Sequence, residues 1–189
     1  MATTTTLMTT EQLLAMPDDG IERWLIDGEL REGTDVTRRN YKHARVQPKV
    51  GHALLKWLDA QPMPRGEVFD GEAGFRLSND PDCTVGIDVA YVDAAVAKKL
   101  GDEDWLVPGA PILAVEILSP SDDHKAVIEK ISTYLKYGVK IVWIVDPDLR
   151  TITVYRPDAR PKLFNVDQVI DAEPHLSGFR MPLIDIFDR

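Results

Sequence analysis

The sequence has little cysteine and no long apolar run, and each shortage excludes a class of protein. The single cysteine, Cys83, rules out an internal disulfide framework and favours a reducing compartment. No apolar stretch is long enough to cross a membrane. The first residues, MATTTTLMTT, also lack the basic start and apolar run of a signal peptide. We therefore expect a cytoplasmic protein with no membrane partner.

Positive charge is also scarce. The chain has 22 Lys and Arg against 31 Asp and Glu, which gives a formal net charge of -9. This balance works against non-specific affinity for nucleic acid, although it does not forbid a local basic groove. The 189 residues, 44% of them hydrophobic, are enough for one domain with a real core. We predict a single domain over residues 1–189, with residues 1–8 disordered.

Several motifs that mark common enzyme classes are missing. The sequence contains no G-x-x-x-x-G-K-[ST] loop, no G-x-G-x-x-G turn and no G-x-S-x-G elbow. Four dispersed histidines and one cysteine do not make a zinc site. Chemistry must therefore come from other residues, and the best candidates are acids in apolar surroundings.

The most informative stretch is residues 111–146, which has the pattern strand, helix, strand. Residues 112–118 form a short apolar run, and Glu116 lies inside it. Residues 139–145 predict a second buried strand, and the short links imply parallel pairing through a right-handed crossover. A buried carboxylate without a partner would cost several kcal/mol. A metal ion, a cation or water in a cleft must compensate Glu116.

The helix between these strands has predictable ends and a predictable buried face. Ser121 or Asp122 can accept hydrogen bonds at its start, and Gly138 is suited to end it. The apolar stripe consists of Val127, Ile131, Tyr134 and Leu135. Lys130 lies beside this stripe, so its stem can pack on the sheet while its ammonium reaches the strand end.

A second acid, Asp88, lies in the predicted strand 85–92. Alternation places it with small residues, opposite a face of larger apolar ones, and leaves room for a ligand. The large face is Val85, Ile87, Val89 and Tyr91, and the other is Gly86, Asp88, Ala90 and Val92. Two carboxylates with a nearby lysine suit a hard cation such as Mg²⁺, which would polarise a phosphodiester and activate water. Structural pairing of the acids with Arg or Lys remains the alternative.

The rest of the chain gives weaker signals. We predict a capped helix at residues 9–16, a hairpin around Asp27-Gly28, two short strands around Asp70-Gly71, a loop at 79–84, a helix at 93–100, an edge hairpin at 151–155, a strand at 163–166 and a closing apolar segment at 183–187. Glu72 opens the second of the two strands around Asp70-Gly71.

A long helix is predicted over residues 38–60, and it is the most basic part of the chain. Its charged residues are Arg38, Arg39, Lys42, His43, Arg45, Lys49 and Lys56. Two interpretations stay open, a solvated helix face or a phosphate-contacting surface. For His43 the ordinary interpretation is a histidine on the helix surface, and the functional one is a catalytic residue.

The order of these features resembles a known family. It runs DGEL at 27–30, His43, GEAGFRL at 71–77, GIDVAYV at 86–92, LAVEILSPSD at 113–122, Lys130, Tyr134, YGV at 137–139 and VWIVDP at 142–147. The chain resembles the Uma-two family of restriction endonuclease-like proteins, a branch of the PD-(D/E)XK nuclease-like superfamily. The resemblance implies an α/β fold with an αβββαβ core, a central mixed β-sheet flanked by helices. It also implies Mg²⁺ or Mn²⁺ held by Asp88, Glu116 and the main-chain carbonyl of Ile117.

The chain departs from the superfamily motif at two positions. Ile87 precedes Asp88 where the motif has proline, and Leu118 stands where the motif has lysine. The resemblance suggests that Lys130 has taken over the role of that lysine. The candidate catalytic residues are then Asp88, Glu116 and Lys130, with Glu72 and His43 as second-tier candidates.

These inferences lead to a main hypothesis and two alternatives. The main hypothesis is a metal-dependent endonuclease that hydrolyses phosphodiester bonds in DNA. The first alternative, motivated by the acidic charge and Leu118, is a catalytically silent binding or assembly module on the same fold. The second is an enzyme acting on a small phosphorylated ligand. Edge strands near residues 151–166 also make a homodimer an expectation.

Overall fold

The structure, a computed structural model, describes residues 7–33, 40–120 and 122–188. The helices are α1 (Thr10–Leu14), α2 (Tyr41–Asp59), α3 (Ala94–Ala97), α4 (His124–Lys136) and α5 (Leu183–Phe187). The strands are β1 (Arg23–Ile26), β2 (Glu29–Glu32), β3 (Glu67–Asn79), β4 (Asp82–Val92), β5 (Val107–Pro108), β6 (Leu113–Ile117), β7 (Ile141–Asp146), β8 (Thr151–Tyr155), β9 (Lys162–Asn165), β10 (Val169–Ala172) and β11 (Leu176–Pro182). The predictions for residues 1–6, Arg38, Arg39 and Ser121 lie outside these ranges.

One large mixed sheet organises the fold. Its strand order is β2-β1-β4-β6-β7-β8-β9, and β3 pairs with β4 and β5. Strands β6 and β7 are parallel and are joined by α4, whereas β3, β4 and β6 are connected by antiparallel pairing. The order α2, β3, β4, β6, α4, β7 confirms the predicted αβββαβ core. A small separate sheet pairs β10 with β11.

Two apolar clusters cover the two faces of this sheet. Leu113, Val115 and Ile117 belong to the cluster with α2, α5 and the small sheet. Ala114 belongs to the other cluster, together with Ile131 and Tyr134 of α4. Because side chains alternate along a strand, Glu116 shares the face of Ala114. The strand thus directs this acid toward α4. Within the described ranges, no helix combines the length and the apolar character that crossing a membrane requires.

Helix α4 begins two residues later than the first predicted cap. Asp123 is the N-cap, and its carboxylate accepts a hydrogen bond from the Ala126 amide at 3.2 Å. Asp122 instead accepts a hydrogen bond from the Ser119 amide at 2.7 Å. The predicted stop is confirmed, because Gly138 has a φ of +101° just after the last turn.

The segment around Asp70-Gly71 differs from the prediction. Residues 67–79 form one long strand, β3, with an irregularity between Asp70 and Ala73. This bulge places Glu72 at a φ of +61°. The expected loop at 79–84 is also shorter, because β4 already begins at Asp82.

The bulge also disturbs the alternation that was predicted for β4. Val85 and Ile87 share the α4-side cluster with Ala90 and Val92, whereas Val89 and Tyr91 lie in the other cluster. The change falls where Ile87 pairs with Ala73 and Val89 with Asp70, across the irregular part of β3. The odd-numbered side chains of β4 thus move from one face of the sheet to the other across Asp88.

Most remaining elements follow the predicted pattern, but α3 is shorter than the predicted helix at 93–100, and β5, β10 and β11 were not predicted. The capping box at Thr9 is present, and the β1–β2 turn has positive φ at Asp27 and Gly28. Strand β8 is not an edge strand, because β9 pairs with its other side. The closing segment forms helix α5. A homodimer through the β9 edge stays a prediction.

The packing of α2 gives a stability test with an internal control. Leu54 is fully buried against the sheet, whereas its neighbour Leu55 is 47% exposed. We expect Leu54→Ala to lower the free energy of unfolding by about 2–5 kcal/mol, because it leaves a cavity in the core. Leu55→Ala should change it by less than about 0.5 kcal/mol. Urea unfolding followed by circular dichroism measures both, and equal losses would contradict the packing.

Candidate active site

Asp88 is held from two sides in the middle of β4. Its Oδ2 accepts a hydrogen bond from the Ile117 amide at 2.7 Å and lies 3.3 Å from His43 Nε2. The residue is only 5% exposed. The bond to Ile117 ties Asp88 to the strand that carries Glu116, so both acids keep a fixed relation to one another. Both hydrogen bonds end on Oδ2, which leaves Oδ1 as the oxygen for a ligand.

Glu116 is buried and receives both of its partners from α4. Lys130 Nζ lies 2.9 Å from Oε2, and the Tyr134 hydroxyl donates a hydrogen bond to Oε1 at 2.6 Å. Lys130 and Tyr134 are four residues apart, so they lie on one face of the helix. The predicted reach of Lys130 to the strand end is confirmed. This contact is also the structural pairing that the sequence left open as an alternative.

The surroundings raise the pKa values of Glu116, Lys130 and Tyr134. Burial raises the pKa of Glu116, the Lys130 ammonium offsets part of the rise, and the charge of Asp88 adds to it. Burial alone would lower the pKa of Lys130, but the attraction of Glu116 outweighs it and the pKa is raised. Burial and the Glu116 charge raise the pKa of Tyr134 well above its ordinary value. At neutral pH Lys130 is therefore a cation and Tyr134 a hydrogen-bond donor.

The two acids and Lys130 line one cavity of about 750 Å³. Its charged lining comprises Glu22, Arg31, Glu32, Glu72, Asp88, Glu116, Asp122, Asp123, Lys125, Glu129 and Lys130. Acids thus outnumber bases by eight to three in this lining. An acidic cavity of this kind attracts cations and repels an unaccompanied phosphate.

The wall opposite α4 is the β1–β2 hairpin. Arg31 of β2 bonds Glu129 of α4 at 2.8 Å, and both residues line the cavity. At the hairpin turn, Asp27 accepts hydrogen bonds from Lys136 at 2.7 Å and from the Tyr137 hydroxyl. The hairpin is therefore fastened to the helix at two points.

Trp24 completes the hairpin wall beside the acids. Its ring lies 5.6 Å from Lys130 Nζ, a distance at which the ammonium interacts with the aromatic face. Trp24 is 8% exposed and lines the cavity. The cation is thus held between Glu116 and an aromatic ring, which fixes its position.

The ordinary interpretation of His43 as a surface histidine is wrong. The residue is 1% exposed and lies behind Asp88, where its Nε2 faces the carboxylate. The reason is its position in the first turn of α2, which packs against the sheet beside β4. His43 does not line the cavity, so it contacts the acid without facing a ligand.

Glu72 lies on the cavity wall at the bulge of β3. It is exposed, unlike the two acids in the strands. The structure thus brings this second-tier candidate to the same cavity as Asp88 and Glu116.

The basic residues of α2 lie away from this cavity. Lys42 pairs with Asp148, Arg45 donates to the carbonyl of Phe187 at 3.0 Å, and Lys49 donates to the carbonyl of Asp185 at 3.1 Å. Two of these contacts tie α2 to α5. These side chains have partners within the chain and none of them lines the cavity, so a phosphate contact by α2 stays a prediction.

Some residues of the site were not found from the sequence. Tyr134 was placed in the apolar stripe and in the family resemblance but was given no contact with Glu116, although a tyrosine in a buried stripe needs a partner for its hydroxyl. Trp24 and Arg31 gave no local signal, because their contacts with α4 join residues about a hundred positions apart.

The donor set fits a hard divalent cation. Among the described residues no three His, Cys, Asp or Glu side chains form a group that could hold a metal. Mg²⁺, however, is commonly bound through one or two carboxylates, with water and substrate phosphate completing its shell. Asp88 and Glu116 meet that need, and the Ile117 carbonyl remains a proposed third oxygen. A cation bound at Glu116 Oε2 would compete with Lys130 for this oxygen.

Comparison with solved structures defines the class of fold. The chain is similar to a structure described as "a putative nuclease belonging to DUF820 from Anabaena variabilis", with a TM-score of 0.77. The match covers 95% of this chain and 97% of that chain at 21% sequence identity. The two chains therefore share a fold.

The family follows from the sequence itself. The model of the Uma2 family, described as "Putative restriction endonuclease", matches residues 10–184. The chain belongs to the Uma2 family, as the resemblance predicted. No curated protein sequence matches it.

Because the Glu116–Lys130 pair is buried, losing its cation should lower stability more than losing an exposed cation on the same helix. Lys130→Met should lower the free energy of unfolding by about 2–4 kcal/mol, because it leaves Glu116 buried without its cation. Lys125→Met, on the exposed side of the same helix, is the matched control and should cost less than about 0.5 kcal/mol. Urea unfolding measures the difference.

A double variant checks the cause of this cost. Adding Glu116→Gln to Lys130→Met removes the uncompensated charge and should restore part of the lost stability. Additive losses in the double variant would show that the pair does not interact as described.

Proposed function

We propose that this chain is a metal-dependent endonuclease that hydrolyses phosphodiester bonds in DNA. The observation that carries the proposal is the meeting of Asp88, Glu116 and Lys130 at one acidic cavity, on a nuclease-like fold. In this proposal Asp88 and Glu116 bind Mg²⁺ or Mn²⁺, with the Ile117 carbonyl as a further oxygen. When bound, the metal would polarise a phosphate oxygen and lower the pKa of the attacking water.

The residues of the chain prepare the site for this chemistry. The Ile117 amide and His43 fix Asp88, so its carboxylate loses little freedom when a ligand binds. Tyr134 fixes Glu116 by a short hydrogen bond. Lys130 holds a positive charge next to Glu116, where its ammonium can stabilise charge that develops on the phosphate.

Two further residues, Glu72 and His43, contribute from outside this centre. Glu72 lies on the cavity wall and would help to attract the cation. His43 acts through Asp88, as a positioning residue.

The excess of acids in the cavity supports metal dependence. A phosphodiester that enters a cavity with eight acids and three bases is repelled until cations neutralise part of that charge. A divalent ion at Asp88 and Glu116 supplies such neutralisation at the point of reaction. We therefore expect no cleavage after chelation of divalent metal.

One observation favours a second candidate, a catalytically silent binding module on the same fold. Both oxygens of Glu116 already have partners within the chain, Tyr134 and Lys130. If Lys130 stays bonded to Glu116 Oε2 when metal is present, Asp88 and Glu116 have only a structural role. The metal titration described in the Discussion separates the two candidates.

Asp88→Asn tests the proposed function directly. The change keeps the size of the side chain but removes the negative charge that would bind the metal, so Mg²⁺-dependent cleavage should fall by more than about a hundredfold. Asp171→Asn is the matched control, because Asp171 is exposed on β10, away from the cavity. The measurement is the cleavage rate of labelled DNA with Mg²⁺ or Mn²⁺. Cleavage by Asp88→Asn at the rate of the control would refute the assignment.

A further inference from the structure

The cavity at Asp88 and Glu116 has the size of a site for one small molecule. Its volume of about 750 Å³ lies within the range of roughly 300–1,000 Å³ that is usual for pockets enclosing such ligands. Its walls are the β1–β2 hairpin and α4. The bonds Arg31–Glu129 and Asp27–Lys136 join these walls at 2.8 Å and 2.7 Å. The hairpin is thus connected to α4 at its turn and through β2.

The negative charge of the lining disfavours a ligand whose phosphates are closely spaced. A duplex carries about one negative charge per 1.7 Å of its axis, whereas a single strand carries about one per 3.4 Å. Of the three bases in the lining, Arg31 is paired with Glu129 and Lys130 with Glu116. The acidic lining therefore opposes the backbone of a duplex more strongly than that of a single strand.

One part of the lining is apolar and lies beside the acids. It is formed by Leu118, Val127 and Ile128, and Val127 lies about one helical turn before Lys130 on α4. Ile128 is 49% exposed and lines the cavity, so its side chain is open to a ligand that enters it. An unpaired base offers a free flat face that can pack on such side chains, whereas a base inside a duplex has both faces stacked.

From size, charge and the apolar wall together, we infer that this site takes an unpaired nucleotide, so its substrate class is single-stranded DNA or a duplex at an unpaired position. The base packs on Val127 and Ile128, while the adjoining phosphodiester meets Asp88, Glu116 and Lys130. This inference rests on the proposed nuclease function and defines which form of DNA it acts on.

The test compares three forms of one DNA sequence. The wild-type protein is incubated with Mg²⁺ or Mn²⁺ and a labelled single strand, the same strand in a full duplex, and that duplex with one extra unpaired nucleotide. We expect the single strand to be cut at least about tenfold faster than the duplex, and the bulged duplex to be cut at its unpaired position. Equal or faster cutting of the full duplex would overturn the inference but leave the proposed function intact. Cleavage of none of the three would overturn the proposed function, and the inference with it.

A variant of the apolar wall adds a test that needs only the single strand as substrate. Ile128→Ala should raise the KM for the single strand by about three- to tenfold and leave kcat nearly unchanged, because it removes packing and not chemistry. Ile184→Ala is the matched control, since Ile184 is 45% exposed on α5 and does not line the cavity. An unchanged KM in Ile128→Ala would contradict the proposed packing of the base.

The preference for a single strand can also be measured as binding, without cleavage. The wild-type protein with Ca²⁺ in place of Mg²⁺ should bind a fluorescently labelled single strand more tightly than the duplex, as measured by fluorescence anisotropy. Tighter binding of the duplex would count against the inference even if no cleavage is seen.

Discussion

The burial of Glu116 is the constraint on which the arrangement of the site depends. All five residues of β6 are buried, so a carboxylate in that strand has lost most of its solvation. Helix α4 supplies the ammonium of Lys130 and the hydroxyl of Tyr134, and these compensate the charge only when the helix lies over the strand. The same docking forms one wall of the cavity and places Lys130 at the face of Trp24. The position of α4 at the site thus depends on one ion pair and one hydrogen bond, beside the apolar packing of Ile131 and Tyr134.

Two groups of charged residues lie on different faces of the sheet. Arg45 and Lys49 of α2 donate to main-chain carbonyls of α5, and so hold the two helices together on the face away from α4. Acids gather around the cavity on the near face. In the proposed function, this separation would let an acidic protein carry out phosphate chemistry. The site would rely on a bound cation, while Arg45 and Lys49 hold α2 to α5.

Much of this could be predicted from the sequence where the signal is local. Glu116 and Asp88 stood out because each interrupts an apolar strand, and Lys130 followed from its place beside the stripe of the next helix. His43 was misjudged because the sequence did not show that the first turn of α2 packs behind Asp88. The faces of β4 were misassigned because a bulge in the neighbouring strand changes their alternation. Trp24 and Arg31 escaped notice because their contacts with α4 depend on how distant segments pack, and no local pattern reports that.

The central claim is that Asp88 and Glu116 form a metal site in which Lys130 yields an oxygen to the cation. Calorimetric titration of Mg²⁺ or Mn²⁺ into the wild-type protein and into the Asp88→Ala/Glu116→Ala double variant tests it most directly, with and without DNA. The account predicts saturable binding to the wild type that is lost in the double variant. Absence of binding to the wild type, even with DNA present, would contradict the account and favour the silent binding module.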